Sequence, residues 1–243
     1  MNFFFMAWHY LKFRWLVSLL TIAGISIGVA LVCAVLALRH ESEKALSRDA
    51  GLYDLVAGGK GSPLQLVLSS VYHLDSPTGN LPYSEYQRLQ RDPRVEWAAP
   101  IGLGDNYLGY RIIGTEKHFF KLPKRNGDPF FQFSKGKAFE DRFDVVLGSQ
   151  VAEASGLKID DTFYGTHGLI QVAGAEVHTD FPYRVSGILS PTGTAQDRAI
   201  LGTLQSVWEI HETEDQLHSA IQGSAIMAND KKRETTAILI RLK

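Results

Sequence analysis

The chain has 243 residues, with 25 basic and 26 acidic side chains, a net charge of −1 and a mean hydropathy of −0.06. No basic excess or basic stripe of the kind that marks a nucleic-acid binder is visible, so no nucleic-acid partner is expected. Cys33 is the sole cysteine, which excludes an intrachain disulfide and a cysteine-built metal cluster.

The near-zero mean hydropathy hides an asymmetry along the chain. Residues 1–14 (MNFFFMAWHYLKFR) place Phe4, Trp8 and Leu11 at helical spacing and add Tyr10 and Phe13, with Trp15 following, which predicts an interfacial segment lying at a membrane surface. Residues 15–38 carry no charge; a helix of that length spans roughly 36 Å, enough for a hydrocarbon core, so one transmembrane helix in a lipid bilayer is expected. A cleaved signal peptide is the competing reading, but its apolar core runs about 7 to 15 residues before a small-residue cleavage site. Cys33 reads as an apolar filler within the span. Gly24 and Gly28 stand four apart and form a GxxxG pair that predicts close packing of a partner helix. Orientation is not settled by charge, since Lys12 and Arg14 precede the span and Arg39, Lys44 and Arg48 follow it.

Beyond the span about 205 residues remain, enough for one large domain or two small lobes. Residues 41–49 (ESEKALSRD) predict a polar continuation of the helix, stopped at Gly51. A strand is expected over 52–56, a loop over 57–63 and a β-leaning apolar segment over 64–72, where periodicity also admits a helix. A loop over 74–80 precedes a helix over 82–92, with Tyr86 and Leu89 inward and Pro93 stopping it. Strands are expected at 95–99, 107–113 and 143–147. Ser149 is expected to cap a helix over 151–155 that ends at Gly156. Further strands are expected at 162–164, 168–177 and 183–188. Leu204, Val207, Trp208 and His211 fall on one helical face. A polar stretch, 229–234, leads to a last strand at 236–242, and this strand-like close suggests a chain cut short or one whose natural end is unusual. Strands and helices mix without strict βαβ alternation, which predicts an α+β fold.

Patterns that carry chemistry are incomplete along the same chain. Gly58-Gly59-Lys60-Gly61-Ser62 approaches a phosphate-binding loop but has Gly61 where Ser or Thr is required. Gly102, Gly104 and Gly109 lack the spacing of a dinucleotide loop, and no GxSxG elbow is present. His211-Glu212 begins a zinc-protease pattern that fails at Asp215, and His211 and His218 lack a third ligand. His167 and His178 read as solvated. Glu140-Asp141 and Asp160-Asp161 are adjacent carboxylates that point apart and fit turn chemistry. No catalytic, cofactor-binding or metal-binding residue is therefore assigned, and no enzymatic activity is expected.

Three segments read together are specific: YDLVAGGKGSPLQLVLSSVYH at 53–73, VVLGSQVAEASGLKIDDTF at 145–163 and FPYRVSGILSPTGTAQDRAILGTLQSVWEIH at 181–211. With the single span before them, they resemble the permease subunits of ABC transporters of the MacB/FtsX/LolCE type. The run PTGTAQDRAI at 191–200 is the most specific piece.

The resemblance implies that residues 39–243 form a MacB-like periplasmic core domain, incomplete at its C-terminus, with an inserted β-rich lobe at about 145–215. It implies an N-terminal tail on the cytoplasmic face of the inner membrane and a domain that is periplasmic or extracellular. It further implies a second permease copy, a separate cytoplasmic ATPase that alone hydrolyses ATP, and a periplasmic accessory protein. Cargo in similar systems is lipoprotein, lipid, peptide or drug. Within the most specific run, Pro191, Thr192, Gly193, Asp197 and Arg198 are expected to form a fixed loop or a partner contact, the other reading being a surface ion pair between Asp197 and Arg198. The chain departs from such permeases in lacking three further membrane helices. A complete single-pass anchored binding module is the alternative.

Overall fold

Charge-free sequence from Trp15 onward forms a helix, as its composition predicts. The protein is described by a computed structural model covering residues 3–50, 52–166, 177–221 and 233–243. It divides into two units, residues 1–47 and 48–243.

The first unit begins with α1 (Phe3–Phe13), whose described aromatic residues Phe5, Trp8, Tyr10 and Phe13 are exposed. Of the predicted aromatic stripe, the Phe4 and Leu11 side chains lie outside the described residues. The Arg14 N–H still reaches the Tyr10 carbonyl at 3.1 Å, so the break before the next helix is slight. That helix, α2 (Trp15–Ala50), has 36 residues, long and apolar enough at its start to cross a membrane, with none of its most apolar stretch buried against the chain. Past Leu38 it becomes polar and carries spaced ion pairs, Arg39–Glu43 at 2.8 Å and Lys44–Glu41 at 3.5 Å, as the predicted continuation requires. The predicted stop at Gly51 lies outside the described residues.

The second unit alternates short elements around one large sheet. In chain order these are β1 (Leu55–Gly58), α3 (Pro63–Ser70), β2 (Leu81–Pro82), α4 (Tyr83–Gln90), β3 (Val95–Tyr107), β4 (Tyr110–Thr115), β5 (Phe133–Gly136), β6 (Asp144–Leu147), α5 (Ser149–Ser155), β7 (Thr162–Thr166), β8 (Val177–Leu189), β9 (Ala199–Thr203), α6 (Leu204–Ile221), β10 (Glu234–Thr235) and β11 (Ala237–Leu242). The main sheet runs β1-β11-β3-β4-β9-β6-β8-β5, with β7 pairing β3 and β8, and β10 pairs β2 apart from it. β4 and β6 run parallel to β9 and β8 respectively, and the other pairs are antiparallel, so the sheet is mixed and the class is α+β.

The central strands are buried on both faces. Ile112 and Ile113, Val145 and Val146, and Ile200 and Leu201 are successive pairs, each at most 1% exposed, whose members enter opposite cores. A strand turns alternate side chains to opposite faces, so an unbroken apolar run marks two-sided burial. One core is rich in phenylalanine, with Phe119, Phe120, Phe131 and Phe139 in edge and tilted contacts. The other holds Tyr183 stacked on Phe163, with Val151 of α5 and Ile210 of α6. A third, smaller cluster places Tyr86 of α4 on Val95, Ala98, Ile238 and Ile240, with Leu89 packed against it, as predicted for that helix.

Four local expectations are corrected. The segment 64–72, read as β-leaning, is helical over α3: Pro63 sits in its first turn, where a missing N–H costs nothing, and Leu66 packs inward while Leu64 and Val67 face out. The segment 107–113, read as one strand, contains a two-residue turn at Leu108 and Gly109, with φ of 51° and 81°. Gly102 and Gly104 lie inside β3, which continues well past Ala99. Ser149 opens α5 and does not cap it, because Gly148 occupies the cap position. The strand expected at 168–177 falls, save Val177, outside the described residues, as does most of the polar stretch 229–234.

Candidate functional site

The loop 191–198 is built around one carboxylate. Asp197 is 3% exposed, and its Oδ1 accepts the Thr192 N–H and hydroxyl, each at 2.8 Å, while Oδ2 accepts the Gly193 N–H at 2.7 Å. The Asp197 N–H returns to the Thr194 carbonyl at 3.2 Å. Bonds to an ionised acceptor are short and strong, so this side chain fixes the turn from inside. Pro191, Gly193 and Arg198 are exposed and Thr192 is half-buried. The surface ion pair considered for Asp197 and Arg198 is not formed, because the carboxylate is wholly engaged by its own loop.

The loop is seated on a second segment singled out in the sequence. A Cβ placed on Gly148 would collide with the Gln196 carbonyl oxygen and stand 2.5 Å from that of Asp197. The Gly148 N–H donates to the Ala199 carbonyl at 2.9 Å. Residues 145–163 and 191–200 are therefore one structural piece, and the glycine between β6 and α5 is what lets their backbones meet.

At the other end of β6, Asp144 pairs in register with Arg184 of β8. Its Oδ1 accepts Arg184 Nη2 at 2.7 Å and Nε at 2.9 Å, and its Oδ2 accepts the backbone N–H groups of Asp141 and Glu140 at 3.0 and 3.2 Å. Burial would raise the Asp144 pKa, but the Asp141 N–H, Arg184 and the Glu140 N–H outweigh it and hold the carboxyl below the usual range.

The helix α6 bears an anchor that the sequence showed only as part of an apolar face. Trp208 donates its indole N–H to the Glu234 carbonyl at 2.6 Å, meets Tyr83 edge-on at 5.2 Å, and carries the Arg233 guanidinium 5.5 Å from its ring centre. Tyr83 in turn donates to Glu116 Oε1 at 2.6 Å; burial, then that bond, raises its pKa. Concave spaces of about 340 and 280 Å³ flank the indole, lined mainly by polar and charged groups such as Asn80, Glu116 and Glu234.

Asp54 is a further residue that sequence reading passed over. Its N–H donates to the Ile240 carbonyl at 2.8 Å, its Oδ2 accepts the Leu242 N–H at 3.0 Å, and its Oδ1 pairs with Arg125. The Leu242 N–H lowers the Asp54 pKa against the opposing effect of burial, and Arg125 adds to the lowering.

Other expected positions are placed as follows. Apart from the helix's own adjacent backbone, a Cβ added at Gly24 or Gly28 would meet nothing within 4 Å, so a neighbouring helix would find a clear face there. The glycine run 58–61 presses on Thr78 and Gly79: added Cβ atoms at Gly59 and Gly61 would come within 3.0 Å of them, which accounts for its glycines by backbone approach. His167 lies outside the described residues, as do the side chains of His178 and His218. Among the described residues no group of three or more His, Cys, Asp or Glu side chains could hold a metal ion.

Residues 18–242 match the family described as the MacB-like periplasmic core domain. No curated protein sequence matches the chain. Among solved structures, the periplasmic region of MacB from Actinobacillus actinomycetemcomitans aligns at 13% identity and a TM-score of 0.46, covering 82% of this chain and 80% of that one. The extracellular domain of the noncanonical ABC-type transporter YknZ from Gram-positive bacteria aligns at 8% identity and a TM-score of 0.40, covering 77% and 82%. The matched residues take in most of the apolar leading helix and the whole sheet domain. The chain belongs to the family of MacB-like periplasmic core domains.

Proposed function

We propose that this chain is a permease subunit, or the leading part of one, in an ABC transporter of the cytoplasmic membrane. In this reading α2 crosses the membrane, α1 lies at the cytoplasmic face near a separate ATPase, and the sheet domain stands outside. The ATPase hydrolyses ATP, and the resulting movement passes through membrane helices to this domain and its copy in a second permease subunit. The work is export or extraction of a lipid, lipoprotein, peptide or drug, and the chain itself makes and breaks no bonds. A cargo or accessory protein is moved only if it binds differently to two states of the outer domain.

The observation that carries the reading is the family match, which takes in most of the apolar span together with the whole sheet domain.

The test is purification of the full-length product from its native membrane with its neighbours. An ATPase subunit is expected to co-purify, and a distance between spin labels on two outer domains is expected to change with ATP. Extraction without detergent, or a complex with neither ATPase nor nucleotide response, would sink the proposal.

A further inference from the structure

His73 follows α3 directly and is the feature that the transport reading leaves unused. It holds a left-handed backbone, φ 58°, and is 9% exposed. Among the described residues neither ring nitrogen has a hydrogen-bond partner that meets normal geometry, although the Ser69 carbonyl lies close enough to favour the protonated ring. A buried imidazole without partners is tolerated only while neutral, because a desolvated cation has no compensation.

The neighbouring strand makes this stricter. Arg111 of β4 is also 9% exposed, with its Nη2 on the Asp75 carbonyl at 3.2 Å, Nη1 near the Gly104 carbonyl at 3.5 Å, and Nε unpartnered. The space beside β4 under the loop 73–75 thus already encloses one positive charge held by carbonyl groups. Among the described residues, the charged groups bearing on this space are Arg111 and, beside it on the loop after His73, the Asp75 carboxylate, whose Oδ1 accepts the Ser76 N–H at 2.7 Å.

We propose that His73 is an acid-sensitive latch: neutral, it lets the segment 71–78 close over Arg111, and when protonated it must leave, releasing that segment from β4 while the sheet stays folded. The connection runs through Asp75, since the Arg111–Asp75 contact is what ties the loop to the strand. Leu74 and Asp75 would then move with His73, and the end of α3 would fray.

The direction follows from proton linkage. Burial lowers the His73 pKa from 6.5 to about 4, with the Ser69 carbonyl opposing and Arg111 adding to the fall. The open state therefore binds the proton more tightly than the closed one. Opening is least above pH 6.5, rises by roughly tenfold for each unit of acidification through the window, and levels off below about 4.

The experiment is hydrogen exchange of the full chain in detergent micelles between pH 7 and 4, corrected at each pH to unstructured-peptide rates. The hydrogen-bonded amides of Tyr72, Leu74 and Ser76 are expected to lose protection by roughly tenfold per pH unit while those of β4 and β9 keep theirs. His73→Asn, which tolerates the left-handed backbone and does not titrate, is expected to abolish the acid dependence. Unchanged protection of 71–78 in the wild type, or the same loss in the variant, overturns the latch. Should the variant fail to fold, the wild-type His73 ring resonance decides: a titration midpoint below 6.5 that coincides with the loss of protection at 71–78 supports the latch, and a midpoint near 6.5, or ring protonation with 71–78 still protected, overturns it.

Discussion

Asp54 Oδ2 accepts the backbone N–H of Leu242 at 3.0 Å, joining residues 188 apart. Asp54 is the residue through which the chain enters β1, and Leu242 ends β11, so the first and last strands of the domain are fastened at one corner. Replacing Asp54 by Ala removes that acceptor and the Arg125 partner together. The expected cost is about 1–2 kcal/mol, read as a lower denaturant midpoint with an unchanged slope. Arg125→Ala, which removes only the exposed partner, is expected to cost less than about 1 kcal/mol.

Asp197 and Arg198 are neighbours with opposite fates. Asp197→Ala leaves the Thr192 and Gly193 N–H groups without their acceptor in a partly buried turn, and a loss of about 1–3 kcal/mol is expected in chemical denaturation. Arg198→Ala is expected to stay within about 0.5 kcal/mol of wild type. If the loop meets a partner, the Arg198 variant should weaken complex formation in pull-down without lowering the unfolding midpoint.

Gly148→Ala drives a methyl carbon into the Gln196 carbonyl oxygen, a backbone atom that no rotamer change can move. The loop 191–198 must shift to admit it, and a loss above about 2 kcal/mol is expected by thermal or denaturant unfolding. A variant as stable as wild type would show that the two segments are not in contact.

The fold's class, its long apolar helix and most of its elements were legible in the sequence because they rest on periodicity and local signals. The helix α4 is one case, with Tyr86 and Leu89 spaced to face inward. What escaped reading depends on contacts distant in sequence. Leu108-Gly109 makes a hairpin turn without the Asn-Gly or Asp-Gly pair that would announce it. The glycines of 102 and 104 look like loop residues until they are seen inside a thirteen-residue strand. Of the loop 191–198, residue choice was visible and the buried position of Asp197 was not, since burial of a carboxylate shows only through its bonding partners. Trp208 was visible only as part of a helical face and Asp54 not at all, because each acts on a main-chain group far along the chain.

Asp144 gives the domain a defined response to acid. Its carboxyl is held below the ordinary range, so the stability that it contributes is present above pH of about 4 and is lost as pH falls through the lowered folded value. Asp144→Asn keeps the shape but weakens the Arg184 contact; it is expected to lower stability at neutral pH and to flatten the acid limb of an unfolding-midpoint series.

Trp208→Phe keeps an aromatic ring against Tyr83 but loses the indole N–H to Glu234. A loss of about 0.5–1.5 kcal/mol is expected, with faster hydrogen exchange at residues 234–236. If exchange there is unchanged, the indole does not hold that segment.

The paired runs Ile112-Ile113, Val145-Val146 and Ile200-Leu201 leave the middle of the sheet without a wet side. In a half-exposed sheet every second position accepts a polar residue, and a scan of all substitutions shows a comb of tolerant and intolerant sites. Here the same scan should return solid bands of intolerance across β4, β6 and β9, so a drifting lineage must place its variation in the rims and connections.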